Sequence, residues 1–128
     1  MTSDGSPYTR LRRAIQSGNL PLINATAAEM GWVPLREALA ILLVIDAKEE
    51  ARFDAAAVRW AGRLALEVRD LELAEFAGAV ESLHALPDEN AQRSLLALTQ
   101  RAMRPPGVPR SLAASRRSQQ GLRRGLGS

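Results

Sequence analysis

Residues 38–45, "ALAILLVI", place eight apolar side chains in succession between Arg36-Glu37 on one side and Asp46 and Lys48 on the other. The run is too short to be a membrane span, which takes about 18 apolar residues or more. A buried strand would need partner strands, and no segment of the chain alternates apolar and polar residues with a period of two. Pro34 suits the opening turn of a helix, and Ala and Leu dominate the residues after it. A helix that is apolar around most of its circumference is stable in the middle of other helices. The run therefore predicts an all-α fold with a central helix over 34–47.

Punctuation on both sides of the run predicts five more helices. Ser6-Pro7 reads as a cap followed by proline, and Gly18 as the residue past the end, framing a helix over 7–17. Asn19 caps a second over 20–30, which Gly31 closes. A fourth is expected from near Glu50 to about Val68, burying Phe53, Ala57, Trp60, Ala61 and Leu64. Asp70 is the expected cap of a fifth, whose stripe is Leu73, Phe76/Ala77, Val80 and Leu83/His84, and Pro87 ends it. Pro87-Asp88-Glu89 opens a sixth, which buries Ala91, Leu95, Leu98 and Ala102. Six short antiparallel helices joined by brief turns make αα-hairpins.

Helices two and three resemble helices four and five in layout at a spacing of roughly 38 residues, as a HEAT-like helical repeat would, so a repeat array and a compact bundle both remain open. "AAEMGWVPLREAL" loosely resembles a tetratricopeptide pattern. Seven residues separate Gly31 from Ala38 where that consensus has five, and no family is assigned.

At 128 residues the chain is the size of one domain. The expected organisation is a flexible start over 1–6, one helical domain over 7–103 and a tail over 104–128. In "RPPGVPR" three prolines and a glycine fall within five residues, and beyond it the apolar content is too small to offset the entropy of ordering, so the tail is expected to be disordered. Charge divides at the same place. Through residue 103 there are eleven Lys/Arg against fourteen Asp/Glu, while 104–128 carries six arginines and no acid, so the overall +3 combines an acidic body with a basic tail.

Catalysis has little to work with. There is no cysteine, which removes thiolate nucleophiles, disulfides and thiolate metal sites. Ser82 and the single histidine, His84, are two apart and face different sides of a helix, and the glycines lack phosphate-loop spacing. Glu81, His84 and Asp88 would cluster only on an unbroken helix, which Pro87 interrupts, so His84 is expected at the edge of the core rather than as a ligand. No cofactor is expected. Setting Gly31 at the turn of a helix-turn-helix makes the reading helix "ALAILLVI", without the Arg, Asn, Gln or Ser that read base edges.

Binding residues are easier to nominate. Arg52, Arg59 and Arg63 form a stripe on helix four, expected opposite the Phe53/Ala57/Trp60 side, with Glu67 four residues after Arg63. Trp32 comes just after the Gly31 turn, either as an anchor for a partner or as a staple between helices. These four are the candidate contacts to a protein partner. Arg104, Arg110, Arg116, Arg117, Arg123 and Arg124 are candidates for phosphate or an acidic partner, with Arg10, Arg12 and Arg13 as a second patch. The sequence leads to a non-catalytic, adaptor-like protein-interaction module with an unidentified protein partner. The alternative is a small nucleic-acid-associated protein that binds phosphates through its tail. With no secretory signal at the start and no membrane span, a cytoplasmic location is expected.

Overall fold

The computed structural model describes residues 6–103. It is all-α: α1 (Pro7–Ser17), α2 (Leu20–Met30), α3 (Leu35–Lys48), α4 (Phe53–Glu67), α5 (Leu73–Ala85) and α6 (Glu89–Thr99). Local chemistry fixes most of the boundaries. Ser6 Oγ accepts the Thr9 amide at 3.0 Å, Asn19 Oδ1 the Leu22 amide at 3.1 Å, and Asp88 Oδ2 the Ala91 amide at 3.0 Å, each satisfying an amide that the helix itself leaves open. Gly18 and Gly31 stand just past α1 and α2 with φ of +72° and +76°, the left-handed region that only glycine enters freely.

Two expected starts are corrected. Asp70 does not cap α5; it occupies a left-handed turn with φ 56°, which a short polar side chain tolerates. Two further residues intervene, and Leu71 packs against the core. Glu72 then begins a capping box in which its side chain takes the Glu75 amide while Glu75 Oε1 accepts the Glu72 amide at 2.9 Å. Helix four starts later than expected, because Glu50–Arg52 forms a 3-10 turn ahead of Phe53.

The packed hairpins are α1 with α2, α3 with α4, and α5 with α6. This differs from the phase of the 38-residue spacing, which pairs helices two with three and four with five. Gly18 and Asn19 alone join α1 to α2, so that pair folds back tightly, whereas Gly31 to Pro34 carry the chain away from α2 before α3 begins. α3 also touches α1, α2 and α6. Contacts of α1 and α2 with α3, and of α3 with α6, join successive hairpins, so α3 carries contacts to the hairpins on both sides of its own.

Two core clusters meet on α3. Leu35, Leu39 and Leu42 join Trp60 and Leu64 of α4, Leu83 of α5 and Leu95 of α6. On another side, Ile41, Val44 and Ile45 pack against Leu11 and Ala14 of α1 and Leu20 and Ile23 of α2. A helix shared by two cores needs apolar residues in every direction, which is why residues 38–45 are apolar without interruption. The buried Trp60 indole is satisfied by donating from Nε1 to the Leu35 carbonyl at 3.0 Å.

α5 is rotated relative to the expected stripe. Phe76, Ala79 and Leu83 face inward, continued by Leu71 before the helix and Leu86 after it, while Leu73, Ala77 and His84 are exposed. His84 is thus a surface residue and not one at the core edge. After α6 the chain returns to the end of α4: Val68 and Ala102 form an isolated antiparallel bridge, and the Met103 amide donates to the Glu67 carbonyl at 2.7 Å. Arg101 clamps the corner, donating to Glu75 Oε2 at 2.6 Å and to the Arg69 and Asp70 carbonyls. Among the described residues no helix is long and apolar enough to cross a membrane.

Candidate partner-binding clefts

Because α1–α2 and α4–α6 lean on α3 from two sides, α3 is left at the bottom of two clefts. The first holds about 300 Å³ and has Val33, Ala38, Ile41, Leu42 and Ile45 along its floor, with Ala56, Arg59, Trp60 and Arg63 of α4 as its wall. It continues into a hollow lined by Leu20 and Asn24 of α2 and by Glu49 and Arg52, with Ile45, Ala56 and Arg59 common to both. The result is an apolar trough bordered by three arginines.

These are the three arginines of the predicted stripe, and the structure gives each a different condition. The stripe does not stand opposite Trp60, as expected; Arg59 and Arg63 flank that residue along the cleft. Arg63 is a brace. Its Nε and Nη2 reach the two carboxylate oxygens of Glu67 at 2.7 and 3.2 Å, Nη2 also donates to the Val33 carbonyl at 2.6 Å, and the guanidinium lies 5.6 Å from the centre of the Trp32 ring. Glu67 is buried, so this pair is shielded from water and ties the segment between α2 and α3 to α4. Trp32, half-buried beneath that guanidinium, is part of the same brace. Arg52 pairs with Glu49 at 2.8 Å in the open. The Arg59 guanidinium has no ion pair or hydrogen bond among the described residues and projects at the cleft rim.

The second cleft, of about 270 Å³, lies between α1 and α6. Its floor is Leu39, Ala40 and Leu43, its walls are Arg12, Ile15 and Gln16 on one side and Gln92 and Leu96 on the other, and Arg36 and Glu37 stand beside it. Tyr8 donates from its hydroxyl to Glu37 Oε2 at 2.9 Å. Burial chiefly, then that hydrogen bond and the carboxylate charge, push the Tyr8 phenol above its ordinary pKa. Arg12 lies 5.8 Å from the Tyr8 ring centre, and Arg10 pairs with Glu29 of α2 at 2.9 Å. Arg10 and Arg12, nominated with Arg13 as a phosphate patch, are therefore engaged within the fold. The Tyr8–Glu37 pair has no signal in the sequence, since 29 residues separate its members and neither sits in a motif.

Asp88 is spent on capping α6, and Glu81 is exposed like His84, so the three do not assemble. Among the described residues no group of three or more His, Asp or Glu is placed to hold a metal ion. Arg104, Arg110, Arg116, Arg117, Arg123 and Arg124 lie outside the described residues. Compared with known protein families, with curated proteins and with solved structures, the chain matches none.

Proposed function

We propose that the protein is a non-catalytic, adaptor-like interaction module whose α2–α3–α4 cleft receives an amphipathic helix of a partner protein. The observation that carries this reading is the trough itself: an apolar floor supplied by the hub helix, with the uncommitted guanidinium of Arg59 at its edge. A helix laid in such a groove buries its apolar stripe against Ile41 and Ile45 and places an acidic residue at Arg59. Arg59 and Arg52 are the contacts that select a partner on this reading, while Arg63 and Trp32 hold the cleft in shape. A nucleic-acid role would rest on the arginines of 104–128, since Trp60 in the first cleft is buried and Tyr8 beside the second is engaged with Glu37 and Arg12.

The test is affinity capture with the full chain and with Arg59→Glu, alongside thermal unfolding of both. A discrete partner that co-purifies with the wild type and is lost with Arg59→Glu, at an unchanged unfolding temperature, supports the cleft. Retention of the same partner by Arg59→Glu would overturn it. A phosphate-mediated role predicts instead duplex and single-stranded probes bound with steep salt dependence, a dependence lost when the chain stops at Met103.

A further inference from the structure

The face of α4 turned away from the core is apolar at its centre and uncovered. Val58 is 71 % and Leu66 88 % exposed, and they stand four residues to either side of Gly62, so the three share one face. A Cβ built at Gly62 would meet no atom within 4 Å, so another backbone can come close there. The rest of the face is ordered about the same centre. Three residues before and after Gly62 are Arg59 and Ala65, and seven before and after are Ala55 and Arg69, all exposed. Counting outward from Gly62, an arginine on one side is matched by an alanine on the other.

That pattern fits itself when reversed. An antiparallel pair related by a twofold axis at Gly62 sets each residue against the one equally far past Gly62 on the other copy. Val58 then meets Leu66, glycine meets glycine, and each arginine lies along an alanine, its methylenes covering the methyl while the guanidinium stays in water. Charge selects the same direction. Asp54 at the start of the face and Arg69 at its end have no ion pair among the described residues, and reversal brings each beside the other. A parallel pair would instead set Arg59 on Arg59 and Arg69 on Arg69. Asp70, next to Arg69, sits in the field of Arg101. We propose that the protein self-associates through this face as a twofold dimer of antiparallel α4 helices. The dimer does not depend on a ligand in either cleft.

Sedimentation equilibrium of the full chain should show a reversible dimer that dissociates in the micromolar range, as suits a face one helix wide. Val58→Glu and Leu66→Arg, each at an exposed site, should separately weaken it about tenfold or more by setting a charge against an apolar side chain. An equimolar mixture of the two variants should restore the dimer, because the carboxylate of Val58→Glu then faces the guanidinium of Leu66→Arg while the unaltered Val58 and Leu66 face each other. Gly62→Glu strengthens the helix but opposes two carboxylates on the axis, so it should be monomeric with undiminished helicity by circular dichroism. A wild-type monomer throughout the concentration range, a dimer that survives Gly62→Glu or either single charge, or a mixture of the two charge variants that stays monomeric would each overturn the proposal.

Discussion

Arg59 and Arg63 are the same residue type, one turn apart on α4, with opposite roles. Arg63 compensates a buried carboxylate and caps a backbone carbonyl, so Arg63→Ala should lower the unfolding free energy by about 3 kcal/mol in urea denaturation. Lysine at that position should recover only part of the loss, because it cannot bind both Glu67 oxygens and the Val33 carbonyl in one plane. Arg59→Ala, at an exposed site without partners among the described residues, should change stability by no more than about 0.5 kcal/mol. Equal losses at the two sites would contradict the division between brace and contact. The i, i+4 relation of Arg63 to Glu67 is legible in the sequence. The burial of Glu67 and the bond to Val33 are not, since a contact across 30 residues leaves no local pattern.

Tyr8 provides a second check at this scale. It is the only tyrosine, so tyrosinate absorbance reports on a single group. Its midpoint should lie above the ordinary value of 10.0. A raised pKa means the folded state holds the phenol proton more tightly than the unfolded chain does. The associated stability is therefore complete below pH 10.0 and is lost as pH rises from there through the folded-state value. Tyr8→Phe should remove this alkaline step, and a midpoint at or below 10.0 would deny the Glu37 hydrogen bond.

Among the elements, α3 and α5 show where pattern reading works and where it fails. In α3 the absence of periodicity is itself informative, because only a helix packed on several sides can be apolar without pause. α5 is also rich in apolar and small residues, but it packs on one side only, against α4 and α6. With Leu73, Ala74, Phe76, Ala77, Ala79 and Val80 available, several stripes fit the same spacing, and nothing local chooses between them. The choice comes from the corner before the helix, where Leu71 turns inward and Glu72 and Glu75 form the cap. Leu73 is then left 85 % exposed.

That corner should be sensitive to acid. The Arg101 hydrogen bond, followed by the Glu72 amide, holds the Glu75 carboxyl below its usual 4.5. Its stabilisation is present above that value and is lost as pH falls through the lowered one. In urea titrations at successive pH, Glu75→Gln should flatten the loss of stability in this window, and an unchanged acid limb would argue that the Arg101 clamp does not hold in solution.

For the molecule as a whole, helix number, helix class and the central place of one helix are legible in the sequence, because prolines, glycines and capping side chains mark boundaries locally. Which helices pair is not. That outcome depends on contacts such as α3 with α6, between segments that share no sequence signal. The two clefts follow from the packing: two groups of helices, each with its own core, rest against one shared helix and leave parts of its surface open. The candidate arginines Arg52, Arg59 and Arg63 can be chosen from spacing alone, but their separation into a brace, a surface pair and a cation without a partner among the described residues cannot.

Native-state amide exchange across a denaturant series tests most directly that α3 is the helix both cores share. Exchange of the Leu42 to Ile45 amides should occur only through global unfolding, with the highest protection in the chain, while α1 and α6 open at equal or lower free energy. If the α3 amides exchanged through a smaller opening while α4 to α6 stayed protected, α3 would belong to one side of the molecule only, and neither cleft would have the floor assigned to it.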